Sequence, residues 1–176
     1  FNNTAVAGGG PTTYRNLIVG ASVAAGGILT AGDGVRPAQI TLGSAPLPSA
    51  TAFLTVNSSI QDNGSAPVSV TVAGAYCSLN GGGNAASTNT YSGGTYILQG
   101  RVSQPGRYTF GSGPVYIVSG GQANIGTQPA NDFYIEGSGT VENQGMGALR
   151  LYAASLANGF VGNLPGTIHL TGLANI

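Results

Sequence analysis

The best candidates for a reacting carboxylate pair are Asp132 and Glu136, in the run Asn131-Asp132-Phe133-Tyr134-Ile135-Glu136-Gly137. Cleavage of a glycosidic bond uses two such groups, one to protonate the leaving oxygen and one to attack or to activate water, held about 5–9.5 Å apart. On a continuous strand, residues four apart share a face, here with Tyr134 between them, but stand about 13 Å apart. Without a bulge that is too far, and the pair reads as solvated strand-face charge.

The remaining reactive types are isolated. His169 lies between Ile168 and Leu170, on the face of Thr167 and Thr171, with no second His, Cys or Asp at a ligand spacing. It reads as a surface or hydrogen-bonded side chain. Cys77 is the single cysteine and closes no intrachain disulfide; in Ala75-Tyr76-Cys77-Ser78-Leu79 it suits a small buried apolar role. The clusters Gly8-Gly9-Gly10 and Gly81-Gly82-Gly83 lack the Gly-Lys-Ser/Thr ending and following helix of a phosphate loop, and no serine sits in a Gly-x-Ser-x-Gly elbow. No catalytic residue, metal site or cofactor is expected, and the chain reads as non-enzymatic.

Tyrosine is the aromatic type that recurs. Tyr91, Tyr96, Tyr108, Tyr116, Tyr134 and Tyr152 fit either an outward stripe for carbohydrate or protein contact or inward stacking in a core, of which the inward reading is plainer. For the outward reading the contact candidates are Tyr91, Tyr108 and Tyr134. Asn2, Asn57 and Asn63 begin Asn-x-Ser/Thr sequons, which matter only where the source glycosylates and are otherwise ordinary turn residues.

Charge narrows the partners. Five Arg, five acidic residues and no Lys give a net charge of zero, which removes the electrostatic basis for binding nucleic acid or an anionic membrane. Hydrophobic residues make up 41% of the chain, which argues against disorder. No apolar run approaches the ~20 residues that span a bilayer as a helix, so a membrane-spanning chain is not expected. The start at Phe1, without an initiator Met or basic leader, suggests a mature or excised piece of an exported protein, or an internal fragment.

Short strands between glycine corners would position these residues. Residues 1–13 read as an irregular lead-in, and 1–176 as one structural unit. Tyr14 to Val19, Ile28-Leu29-Thr30, Gln39 to Leu42, Phe53 to Val56, Thr95 to Leu98, Val115 to Val118, Ala123-Asn124-Ile125 and Thr167 to Thr171 are strand-like, as are Val23-Ala24-Ala25 and Tyr108-Thr109-Phe110. Val68-Ser69-Val70-Thr71-Val72 is the cleanest alternation, with three valines on one face. Pro46 and Pro48 mark a loop, as does the run from Asn80 to Ser87.

The unit Asn89-Thr90-Tyr91-Ser92-Gly93-Gly94-Thr95-Tyr96-Ile97-Leu98 joins a polar lead-in, a glycine corner and a strand ended by Gly100. It resembles the autotransporter-associated β-strand repeat of bacterial passenger proteins, Asn-Thr-Tyr-Ser/Thr-Gly-Gly-Thr followed by a short apolar strand. Asn131 to Gly139, followed by Gly147-Ala148-Leu149-Arg150, is similar to a second passenger pattern. The resemblance is strongest from Asn89 onward and implies an extracellular or cell-surface bacterial protein.

Strand recurrence, scarce hairpin turns and low charge predict an all-β chain wound as a right-handed parallel β-helix, a β-solenoid, with a β-sandwich as the alternative. With roughly 20 residues per coil the chain would make about eight coils. The expected function is that of a rigid structural rod. Its unprotected strand edges favour self-association end to end or by strand exchange into a filament or surface layer. The alternative is an adhesin or carbohydrate-binding module with an extracellular glycan or protein partner.

Overall fold

Alternation along Val68-Ser69-Val70-Thr71-Val72 becomes burial: all three valines have no exposed surface. The computed structural model describes residues 15–22, 27–43, 52–82, 88–104, 109–126, 129–140, 147–151 and 164–176. The expected lead-in over 1–13, the Val23-Ala24-Ala25 strand, the Pro46/Pro48 loop, Tyr108 and Tyr152 lie outside these residues, as do Asn2 and most of the loop before Thr88.

Twelve strands are present among the described residues: β1 (Arg15–Val19), β2 (Ile28–Leu29), β3 (Ala38–Gly43), β4 (Ala52–Val56), β5 (Ser59–Ile60), β6 (Val68–Leu79), β7 (Thr95–Gln104), β8 (Val115–Ile117), β9 (Gly121–Ile125), β10 (Phe133–Gly137), β11 (Leu149–Leu151) and β12 (Ile168–Ala174). The one helical element among these residues is a 3₁₀ turn at Asn80–Gly82. The chain is therefore all-β, and every ladder between strands is parallel. An isolated antiparallel bridge, Asn63 to Ala66, closes a local turn. Parallel neighbours throughout are not the antiparallel pairing on which the sandwich alternative depends.

Ten strands form one sheet, and β2 and β5 pair separately. Within the large sheet one line of neighbours runs β3, β6, β7, β8, β10, β12. A second runs β1, β4, β6, β7, β9, β11. β6 and β7 belong to both lines because they do not stop where their alternation suggests. They continue through Gly74 and Gly100 to Leu79 and Gln104. Gly100 holds φ at 89°, a conformation that a side chain with a Cβ rarely adopts, so it turns the strand without ending it. Gly120 occupies the next corner at φ 91°, and its carbonyl accepts the Gly100 N–H at 3.0 Å.

Register stacks like on like. Ile40, Val70, Thr95, Val115, Phe133 and Ile168 form one inward column; Leu42, Val72, Ile97, Ile117, Ile135 and Leu170 form the next. In the second line Leu54, Cys77, Val102, Ala123 and Leu149 align likewise. The buried apolar members of these columns make one continuous cluster with Tyr91 and Phe110, against which Ile40 packs partly buried. Phe110 meets Phe133 edge to face at 5.9 Å, in a turn where a strand was expected.

The passes differ in length. Aligned residues lie 18 apart between Val115 and Phe133 and 35 apart between Phe133 and Ile168, and the Asn57 to Gly20 hydrogen bond spans 37. The interval between aligned strands is therefore not the uniform one of about 20 residues on which the eight-coil expectation rests.

Candidate functional site

Parallel, in-register strands place equivalent side chains about 4.8 Å apart. On the face opposite the core, the central position of β7, β8, β10 and β12 is Tyr96, Tyr116, Tyr134 and His169. The rings stack in sequence. Tyr96 and Tyr116 have centroids 4.8 Å apart and planes inclined by 7°; Tyr116 and Tyr134 are at 4.9 Å and 20°; Tyr134 and His169 are at 4.4 Å and 8°. All four side chains are half-buried. Below Tyr96 the column continues into Thr71 and Thr41, and Gln39 Nε2 donates to Thr71 Oγ1.

The expected contact residues separate. Tyr134 is on the outer face as an outward stripe requires, though as a middle rung whose ring faces are covered. Tyr91 is a correction: it has no exposed surface, and its hydroxyl shares a 2.6 Å hydrogen bond with Thr95 Oγ1 inside the core. Burial pushes its phenol pKa above the ordinary value, with Thr95 opposing. Tyr91 precedes the Gly93-Gly94 corner, and the corner decides which way it faces. Tyr108 lies outside the described residues. The inward reading thus holds for Tyr91 and not for Tyr96, Tyr116 or Tyr134.

A second outward cluster occupies the neighbouring line of strands. Phe53 and Tyr76 are in ring contact at 6.0 Å, and the Arg101 guanidinium lies 4.6 Å from the Tyr76 ring centroid. That position favours cation–π attraction.

Polar side chains tie successive passes together. Asp62 Oδ1 accepts the Val68 N–H at 2.7 Å and the Ser92 N–H at 2.9 Å, and Oδ2 accepts Ser92 Oγ–H at 2.7 Å. Burial opposes the Asp62 charge, and these three donors outweigh it, holding the carboxyl below its ordinary pKa. Asn89 accepts the Ile60 N–H at 2.8 Å and donates to the Thr109 carbonyl at 2.9 Å, so one side chain bridges the passes on either side. Asn131 donates to the carbonyls of Gly111 and Gly113. The sequence places Asn89 in a polar lead-in and Asp62 beside Asn63-Gly64, but carries no sign of their distant partners.

Asp132 and Glu136 are both exposed, and Asp132 Oδ1 accepts the Thr167 N–H at 2.7 Å. Burial pushes the Cys77 thiol up to about 12, which keeps it protonated and unreactive at neutral pH. Among the described residues no three His, Cys, Asp or Glu side chains converge as metal ligands. No helix among them is long and apolar enough to cross a membrane.

At β12 the inward columns come to the surface. Ile168 and Leu170 align with the fully buried Phe133 and Ile135, yet they are 38% and 59% exposed, and Leu173 beyond them is 96% exposed. Among the described residues the other end of this line is β3, with Ile40 half-buried in the column of Ile168 and Leu42 buried in that of Leu170. Comparison with protein-family models, curated proteins and solved structures finds no match for this chain.

Proposed function

We propose that the chain is a non-enzymatic, extracellular structural protein of a bacterial surface, wound as a right-handed parallel β-helix and assembling end to end. The β12 edge of one copy docks on the β3 edge of another, continuing the backbone ladder and the inward columns across the junction. The observation that carries this reading is the exposure of Ile168 and Leu170 at the end of columns whose middle members are buried. In a docked pair, Ile168 and Leu170 would align with Ile40 and Leu42, continuing each apolar column and joining two strands that stand at the ends of the line among the described residues. A right-handed crossover is the ordinary hand for parallel strands in one sheet. The extracellular and bacterial assignment rests on the passenger-like segments at Asn89 and Asn131.

The tyrosine column weighs against the glycan-binding alternative. A sugar ring docks on an open aromatic face, whereas the Tyr116 and Tyr134 faces are covered by neighbouring rings.

Light scattering and negative-stain electron microscopy of the purified chain test assembly. The expected result is concentration-dependent growth of linear particles, abolished by Leu170→Lys. A native chain that stays monomeric at high concentration would overturn the reading.

A further inference from the structure

The phenols of Tyr96, Tyr116 and Tyr134 are stacked almost in parallel on successive strands, with centroids 4.8 and 4.9 Å apart. Because the strands repeat by near-translation, each ring carbon lies about one strand spacing, ~4.8 Å, from its equivalent on the next ring. These rings are half-buried, so a small oxidant reaches them and a modest side-chain rotation brings two ortho carbons together. Elsewhere the described tyrosines have other neighbours. Tyr76 packs against Phe53 and Arg101, and Tyr91 is enclosed in the core with its hydroxyl bonded to Thr95.

We propose that Tyr96, Tyr116 and Tyr134 form a site of oxidative tyrosine cross-linking, in which a carbon–carbon bond staples one pass of the chain to the next. The co-reactant is a peroxide acting through a one-electron oxidant such as a haem peroxidase. Each of two neighbouring phenols gives up one electron and its hydroxyl proton, leaving two phenoxyl radicals. The radicals join ortho carbon to ortho carbon, and the hydrogen on each joined carbon moves to the ring oxygen, restoring two phenols in one biphenol. The peroxide takes up the two electrons and two protons and leaves as two waters. The chain loses the mass of two hydrogen atoms.

Such a bond closes a loop between passes and acts on the unfolded chain as a disulfide does, by limiting its freedom. Lone Cys77 closes no such loop within the chain, so the tyrosine column is the place where a covalent tie between passes is geometrically prepared. The staple lies within one molecule and is independent of end-to-end assembly.

The test treats the full chain, dilute enough to be monomeric, with peroxidase and limiting hydrogen peroxide, and reads biphenol fluorescence, intact mass and the cross-linked peptides. The expected product is intrachain and joins Tyr96 to Tyr116 or Tyr116 to Tyr134. Tyr116→Phe keeps a ring in the stack but leaves the flanking phenols two strand spacings apart, ~9.6 Å, and should lose the intrachain product. Tyr134→Phe should retain the Tyr96–Tyr116 product, which separates loss of a partner from loss of fold. Equal yield from Tyr116→Phe, an equal yield from the chain oxidised in denaturant, or cross-links only between molecules would each overturn the proposal. These outcomes do not bear on filament growth, so the two readings can fail separately.

Discussion

Phe133 and Ile168 are neighbours in one column, one on β10 and the other on β12, and the first is fully buried while the second is 38% exposed. Ile135 and Leu170, the next pair, differ still more. Residue type does not separate the members of each pair; the number of covered sides does. A rung in the middle is enclosed by passes above and below, whereas the β12 rung has a described neighbour, β10, on one side. In a parallel stack, burial is therefore a property of the neighbouring pass, and an interior column becomes a sticky surface wherever the stack stops.

The largest effect that sharpens this comparison is a truncation in each column member. Phe133→Ala removes a fully enclosed ring and should cost about 3–5 kcal/mol in urea unfolding of the monomer. Ile168→Ala, one rung away, should cost only about 1–2 kcal/mol, because its side chain is already partly in water. Equal costs would mean that β12 is covered in solution, and the contrast between middle and end would collapse.

A smaller effect is expected at the corners. Gly120 has φ 91°, and a Cβ there would meet nothing closer than 3.9 Å. Gly120→Ala should thus cost about 1–3 kcal/mol from backbone strain alone. At the adjacent Gly121 a Cβ would lie 2.2 Å from the Ile97 carbonyl oxygen, so Gly121→Ala should be worse. Thermal unfolding of the two variants separates conformational strain from steric overlap within one corner. A neutral Gly120→Ala would show that the corner is loose enough to change φ.

Local chemistry was readable and stacking was not. The alternation from Val68 to Val72 specifies a strand with one buried face without reference to any partner, and the structure has it. Positive-φ glycines announce corners, but whether a corner ends a strand, as expected at Gly100, or bends it depends on the passes alongside. Tyr91 and Tyr96 show where reading fails. They lie in the same unit on either side of Gly93-Gly94, and one is enclosed in the core while the other begins the outer column. Period-two reasoning stops at a glycine corner. The column itself was hidden because the intervals between passes vary, so Tyr96, Tyr116, Tyr134 and His169 show no fixed repeat along the chain.

The smallest effect compares two aspartates. Asp62, in the middle, accepts three hydrogen bonds and joins its own turn to Ser92 of the next pass, whereas Asp132, near the β12 end, accepts one from Thr167. The folded-state pKa of Asp62 lies below its unfolded value of about 3.8. Its ionised form therefore contributes stability that is fully present above that value and is lost as pH falls through the lower, folded one. After solvent screening the contribution should be no more than about 1 kcal/mol. Asp62→Ala should lower the urea midpoint at pH 7 more than Asp132→Ala does. The deficit of Asp62→Ala relative to the native chain should shrink as the pH is taken below about 4, because protonation then removes from the native chain the charged staple that the variant already lacks. A deficit independent of pH over that range would assign the effect of Asp62 to turn geometry and not to its charge.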